Sequence, residues 1–344
     1  MTNNPQISVV TPTRNRREVL LRAIESVRAQ SFQDYEHIVI DDGSTDGSEE
    51  AARKVADPRV RFVQLDAWRG ANAARNIGIE LARAPLITFL DSDDVFLPFR
   101  LERSVALFDG NSTIDLAISA FTTTKGDTAP PTSGRDVNFD CELLERAIAA
   151  QVHPIAGSAI TARKTMIVSV GLFDEGLWRL QDRDLLLRCA GNGFGATVLG
   201  AIDWIKYNSP DSISRQRGGY VTAYADLIGR HPQIRKRYPE IVAYMVARRI
   251  LNHLIQGHLG QVIEEYRINR QRPELGFPLA TLATGYLPGR RRRRVILDEV
   301  QSLQGQDMAA EQMVSPIVPQ VADDGKVANS APVRHEKLPL TDIV

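Results

Sequence analysis

The chain has 344 residues, 43% of them apolar and 24% charged, the balance of a globular protein and not of a disordered or fibrous chain. Its 42 Lys and Arg offset 42 Asp and Glu, so the formal charge is zero; that excludes a globally basic nucleic-acid binder, though not a local basic patch. Cys141 and Cys189 cannot build a disulfide framework and their spacing is no metal motif, which points to a reducing compartment. No apolar run reaches the roughly 18–20 residues that span a bilayer. The polar residues 1–6 lead straight into a strand signal, so no leader peptide is expected and the location reads as cytoplasmic.

In chain order, Ile7-Ser8-Val9-Val10 is a short β-rich run ended by Thr11-Pro12-Thr13. Val19, Leu20, Ala23, Ile24 and Val27 recur at three- and four-residue steps, one apolar face of a helix ending near Gln30. His37-Ile38-Val39-Ile40 is a second strand, stopped by Asp41-Asp42-Gly43-Ser44. A helix over 48–56, a strand over 60–65, a helix over 71–82 and a strand over 86–90 follow. This alternation predicts an α/β fold with a mainly parallel sheet flanked by helices. Further on, 114–121 reads as a strand, 122–135 as a mobile loop rich in Thr, Gly and Pro, 183–190 as a helix and 196–207 as one or two strands. From about Gly219 the pattern is helical to about Leu287, with breaks near Pro232, Pro239 and Pro273. The residues after about Gln304 are polar and aperiodic and read as a disordered tail. No internal repeat is visible.

In open α/β sheets, ligands bind beyond the carboxyl ends of the strands. Three polar clusters fall there: Arg14-Asn15-Arg16, Asp41-Asp42 and Asp91-Ser92-Asp93-Asp94. Carboxylates spaced one residue apart at a strand end can hold a hard divalent ion, which in turn binds phosphate oxygens. The plainer alternative is a solvated turn that caps a helix after Pro98. Against it, three acids crowded on a buried strand end repel one another unless a cation compensates. Asp42 could accept hydrogen bonds from a nucleobase or ribose, or the Asp41-Asp42-Gly43-Ser44 segment could simply cap the next helix. Arg75, near a helix start, suits phosphate or a surface ion pair.

Taken in order, these segments resemble family 2 glycosyltransferases. The resemblance is carried by Ile7 to Arg16, by Asp41-Asp42-Gly43-Ser44-Thr45-Asp46-Gly47-Ser48, by Ala74-Arg75-Asn76-Ile77-Gly78 and by Leu90-Asp91-Ser92-Asp93-Asp94 with Pro98. Gly171-Leu172-Phe173-Asp174-Glu175 and Asp182-Arg183-Asp184-Leu185 look like the family's acceptor-side signature. The match covers about residues 6–215. It implies a GT-A fold and a metal-dependent, inverting transfer from a nucleotide-sugar to a saccharide or lipid-linked acceptor, with Mn²⁺ or Mg²⁺ as cofactor. It also implies that Pro12, Arg14 and Asp42 lie against the nucleoside, that Arg75 faces the diphosphate, that Asp91 and Ser92 help hold the donor, that Asp93 is the metal ligand and that Asp182 is the catalytic base. On this division, 1–215 is the glycosyltransferase domain, 216–295 a helical extension and 296–344 a tail.

The chain departs from the family pattern at Gln181 and Arg183, where the family usually has Glu and an aromatic residue. No metal-binding His appears near Tyr207-Asn208-Ser209-Pro210, so metal ligation would rest on Asp93, the diphosphate and water. The structural alternative for Asp182 is a helix N-cap. Trp178 and His153 are acceptor-side candidates, although His153 also suits a purely structural place. Trp68 could stack on a sugar, whereas Trp204 sits in an apolar run and reads as core. Arg290, Arg291, Arg292, Arg293 and Arg294 form a basic run that could rest on an anionic membrane or simply be solvated; no aromatic residues interleave with them to suggest nucleic acid. A sugar nucleotidyltransferase and a nucleotide-sugar-binding scaffold without turnover are the rival readings.

Overall fold

The computed structural model describes residues 4–124, 128–129, 135–207, 219–272, 274–275, 279–305, 320–321 and 327–328. The chain divides into two compact units, Met1–Gln304 and Gly305–Val344. In the first unit, β1 (Ile7–Thr13), β2 (Tyr35–Asp41), β3 (Val60–Gln64) and β4 (Leu86–Phe89) alternate with α1 (Arg17–Arg28), α2 (Ser48–Arg53) and α3 (Ala71–Leu81). These strands pair in parallel, in the order β3-β2-β1-β4. All of β1, β2 and β4 is buried, which requires near-continuous apolar runs. Two of the polar exceptions find partners inside the sheet: Glu36 accepts from Ser8 Oγ at 2.8 Å and from the Arg83 amide at 2.6 Å, and His37 meets Thr11 Oγ1 at 2.9 Å.

Past β4 the sheet becomes mixed. β5 (Val95–Phe96) leads into α4 (Arg100–Asp109), β6 (Leu116–Thr123), β7 (Thr128–Ala129) and β8 (Val137–Phe139). After α5 (Cys141–Ala149), a 3₁₀ turn over Gly157–Ala159 enters β9 (Ile160–Arg163), followed by α6 (Lys164–Ser169), α7 (Gln181–Gly191) and β10 (Ala196–Lys206). The ten-stranded sheet continues β4-β9-β6-β10-β5, with β7 beside β6 and β8 beside β10. β9 runs antiparallel to both β4 and β6, so the parallel arrangement expected from the sequence holds for the first four strands and the β6–β10 pair. Hydrophobic periodicity does not reveal β9, because its four residues, Ile160-Thr161-Ala162-Arg163, carry only two apolar side chains, unlike the equally short but almost wholly apolar β4.

The helical segment comprises α8 (Tyr220–Arg230), α9 (Pro232–Arg237), α10 (Pro239–Ile255), α11 (Leu259–Gln271) and α12 (Leu279–Gly305). Pro232 and Pro239 each occupy a first-turn position, where proline's missing N–H leaves no bond unmade. α12 passes both the expected end near Leu287 and the expected tail start at 296, with Pro288 inside it. The helix lies close on α10 because Gly285 and Gly289 carry no side chain: a Cβ on Gly289 would strike the Glu240 carbonyl and Tyr244. The basic run is therefore helical. Arg292 pairs with Glu240 and Arg294 with Asp298, both at 3.3 Å, while Arg293 donates to the carbonyls of Ala150 at 2.9 Å and Gln151 at 3.1 Å. No helix among the described residues is long and apolar enough to cross a membrane. The expected break at Pro273, most of the loop over 122–135 and nearly all of the tail lie outside the described residues; in the second unit, Gln320–Val321 and Val327–Ala328 pair as antiparallel strands, β11 and β12.

Gly78 fixes the seat of α3. A Cβ there would overlap the Val10 side chain on β1. Gly78→Ala is expected to destabilise the protein by about 1–3 kcal/mol through overpacking, outweighing the gain of about 1 kcal/mol that Ala brings to a helix. Urea denaturation measures this; unchanged or higher stability would contradict the close α3–β1 packing.

Candidate active site

A cavity of about 780 Å³ opens at the carboxyl ends of β1, β2 and β4. Pro12, Arg14, Asp42, Arg75, Asp91, Ser92, Asp93, Trp178 and Asp182 all line it. Segments that are distant in sequence thus converge, as the strand-end rule requires.

At the β2 end the two aspartates divide their work. Asp41 accepts from the Ser44 amide at 3.0 Å and the Ser44 hydroxyl at 2.5 Å, closing the turn. Asp42 accepts from the amides of Arg69 at 2.7 Å and Gly70 at 2.8 Å, so its carboxylate shapes the loop that leads into α3. Gly70 has φ of 98°, a conformation that suits glycine. The Arg14 guanidinium lies 5.2 Å from the ring centre of the exposed Trp68. Their partnership places a flat cationic surface at the cavity mouth.

The β4 end carries the acids. Arg75, buried in α3, donates to Asp91 at 2.6 Å and to Asn72 at 3.2 Å. Asp93 pairs with Arg16 at 2.7 Å; even so, burial and the nearby Asp91 charge raise its carboxyl above the ordinary range. Asp94 is fully enclosed, accepting from the Ser158 hydroxyl at 2.7 Å and the Tyr207 amide at 3.2 Å. Burial first, then Asp91 and Asp93, push it well upward. Asp94 therefore ties the acidic turn to the 3₁₀ segment and to the end of β10, a role the sequence reading does not assign. Arg16 was legible only as a member of a polar cluster, and Ser158 carries no signal at all.

Asp182 sits in the first turn of α7. The residue in the N-cap position is Leu180, with φ of 63°, and no side chain caps the helix, which excludes the N-cap alternative for Asp182. A non-glycine residue in this region is strained, by about 1–3 kcal/mol. Asp182 Oδ1 is buried without a hydrogen-bond partner. A Cβ built on Gly157 would lie 3.5 Å from that oxygen, 3.5 Å from Arg75 Nη2 and 3.3 Å from Asp91 Oδ1, so the three groups converge on one point. Burial raises the Asp182 carboxyl, partly opposed by Arg75.

α3 also latches the segment before α7. Asn72 donates to the carbonyls of Asp174 at 2.8 Å and Leu177 at 2.7 Å, and Asn76 exchanges hydrogen bonds of 2.9 Å with the Phe173 backbone. Trp178 borders the cavity at 44% exposure. His153 does not: it is 1% exposed, packs edge-on to Phe139, and burial lowers it to about 4. It belongs to the core and not to the acceptor side, because residues 151–156 turn its ring inward. Trp204 is core as expected, stacked on Phe121 at 4.5 Å.

Among the described residues, no three His, Cys, Asp or Glu side chains could hold a metal ion by themselves. The oxygen donors at Asp91 and Asp93, each already paired with one arginine but still crowded by their neighbours' negative charge, fit a hard divalent ion that brings further oxygen ligands with its substrate, not a prebuilt protein cage.

A family model for glycosyl transferase family 2 matches residues 8–167. The chain is 41% identical over 105 residues to the succinoglycan biosynthesis protein ExoO of Rhizobium meliloti, covering 30% of each chain. It is 30% identical over 217 residues to the uncharacterized glycosyltransferase MJ1057 of Methanocaldococcus jannaschii, covering 61% of this chain and 72% of that one. Its fold is similar to that of a mannosyltransferase from Pyrobaculum calidifontis in complex with GDP-Man and Mn²⁺, with a TM-score of 0.56, 15% identity and 89% of each chain covered. The chain spans less than a third of the length of the first of these relatives. With these matches on the α/β sheet and its strand-end cavity, the chain belongs to glycosyl transferase family 2.

A buried carboxyl with a raised pKa favours folding while protonated and loses that benefit as pH rises through its folded value. Asp182→Asn, which stays neutral, is therefore expected to raise the melting temperature at pH 7, with the gain shrinking as pH falls towards the unfolded value of about 3.9. Thermal unfolding at pH 7 and pH 4 checks this; a loss of stability at pH 7 would mean that the carboxylate has compensating partners.

Proposed function

We propose that the protein moves a sugar from a nucleoside-diphosphate donor to an acceptor hydroxyl with inversion, Asp182 acting as general base. The observation that carries this reading is the buried, unpartnered Asp182 oxygen beside Arg75 and Asp91 on the floor of the cavity. Asp182 takes the acceptor hydroxyl proton. The hydroxyl oxygen bonds to the anomeric carbon as the bond to the diphosphate breaks, and that electron pair leaves with the diphosphate. A single carboxylate suffices for such a displacement, and its raised pKa improves it as a base.

On the donor side, Pro12, Arg14 and Asp42 border the nucleoside, with Asp42 acting through the Arg69–Gly70 backbone it holds. Arg75 lies against the diphosphate, with Asp91 and Ser92 beside it. Asp93 would hold a Mn²⁺ or Mg²⁺ ion, which supplies positive charge against the leaving diphosphate when bound. The mannosyltransferase complex with GDP-Man and Mn²⁺ supports this class of donor and ion. Trp178 offers a stacking face to an acceptor. The name of the succinoglycan relative supports a place in polysaccharide assembly; the acceptor in this reading is a saccharide or a lipid-linked sugar.

In this reading 1–215 is the GT-A domain and 216–305 the helical extension, which α12 carries past the expected boundary at 296, in a cytoplasmic protein. Exposed Arg290, Arg291, Arg292 and Arg294 support contact with an anionic membrane, whereas Arg293 is held by backbone carbonyls.

Two substitutions separate the roles. Asp93→Ala is expected to abolish Mn²⁺-dependent binding of the nucleoside diphosphate, read by calorimetry; undiminished binding would remove Asp93 as the metal ligand. Asp182→Asn is expected to lower turnover about 10²–10⁴-fold while donor affinity stays within twofold, on the order of 0.4 kcal/mol. An equal loss of donor binding would move Asp182 to the donor site.

A further inference from the structure

Arg179, Arg183 and Tyr220 line the cavity together with Asp182, and further arginines gather around Tyr220. Arg179 and Arg249 lie 5.8 and 5.4 Å from the ring centre of Tyr220, and Arg183, Arg248 and Arg293 act electrostatically on the same residue. Tyr220 is held in turn by Gln151, which donates to its hydroxyl at 2.7 Å. The carboxylates that act on this group are Asp182 and Glu265. Glu265 is engaged by Arg249 at 3.5 Å, and Arg293 by two backbone carbonyls.

Arg183 lines the cavity beside Asp182, whose charge favours its own although the two form no direct ion pair. It follows Asp182 on α7 and makes one long hydrogen bond of 3.4 Å to the Ile148 carbonyl. Were it simply the counter-ion of Asp182, the two would form an ion pair, yet Asp182 Oδ1 has no partner. Lys206 also lines the cavity and acts on Asp182 without pairing with it. Burial, the largest influence, and the neighbouring Arg293 work against the Arg183 charge, and Tyr220, Asp182 and Tyr224 only partly offset them. A recessed guanidinium in such surroundings is costly unless an anion meets it, and its planar fork matches a phosphate or a carboxylate.

We propose that Arg183, backed by these arginines, binds an anionic group of the acceptor, a phosphate or a sugar carboxylate next to the hydroxyl that attacks. This rests on the glycosyltransferase reading above and narrows its acceptor class. Holding the anion beside Asp182 would bring the neighbouring hydroxyl to the base, a positioning effect. It also gives a physical reason for arginine at a place where the family resemblance leads one to expect an aromatic residue: an aromatic face suits a neutral sugar, a guanidinium suits a charged one.

The test titrates enzyme saturated with Mn²⁺ and its nucleoside diphosphate with three probes: glycerol 1-phosphate, methyl glucuronide and neutral methyl glucoside. One anionic probe is expected to bind at least about 10-fold tighter than the neutral sugar, a preference that weakens with salt. Which anion wins distinguishes a phosphorylated acceptor from a uronic acid. Arg183→Gln is expected to erase that preference and Arg183→Lys to keep part of it, both leaving nucleotide affinity unchanged. Equal binding of all three probes to the unsubstituted enzyme would overturn the proposal. So would an Arg183→Gln variant that loses nucleotide affinity in step with the anion, since Arg183 would then serve the donor. Failure of the unsubstituted enzyme to bind any nucleoside diphosphate would instead overturn the donor reading, and the acceptor proposal with it.

Discussion

Too much negative charge in too little water governs this site. Asp91, Asp93, Asp94 and Asp182 gather on one cavity floor, three of them with carboxyl groups raised by burial. Each is compensated differently. Arg75 answers Asp91, Arg16 answers Asp93, and Asp94 rests on a hydroxyl and an amide. Asp182 keeps one oxygen without any partner. That gradient, from fully compensated to bare, separates carboxylates that build from those free to act.

The fold holds the arrangement against that repulsion. β1, β2 and β4 are buried throughout and bring their ends to a common edge. α3 is pinned to β1 by Gly78 and reaches across to residues 173–177 with two asparagines. α7 is anchored from behind: Asp184, two residues after Asp182, accepts from His231 at 2.8 Å and Arg188 at 2.7 Å. The helical segment therefore does more than follow the sheet, because His231 from the α8–α9 junction grips the helix that carries Asp182. Arg293 of α12 does the same for the end of α5, close to Gln151 in the cavity wall.

What the sequence made legible follows from which interactions are local. The first four strands and three helices could be read because each repeats one period over several residues, and the strand-end acids because their spacing is short. Asp182 could be named only through the resemblance to a family, since nothing in its neighbours distinguishes a base from a cap. The partners of the acids were hidden because they come from far along the chain: Ser158 reaches Asp94 across 64 positions, and Asn72 reaches Leu177 across 105. His153 stays open between two readings for a related reason. A histidine before a proline suits an acceptor pocket or a structural place equally in sequence, and only the packing of Phe139 against it shows that it is core. The basic run at 290–294 suggests a surface patch, but helical geometry distributes its side chains and turns Arg293 inward.

A single displacement with one base has a stereochemical consequence that no other arrangement of these residues shares. Water can replace the acceptor, so the measurement needs no knowledge of it. Early-time proton NMR of the sugar released from an α-configured nucleotide-sugar, taken before the anomers equilibrate, reads the configuration directly. One inversion at the anomeric carbon gives the β-anomer first. Release of the α-anomer first would mean net retention, by a double displacement or by front-face attack, and would contradict a single inverting displacement with Asp182 as base.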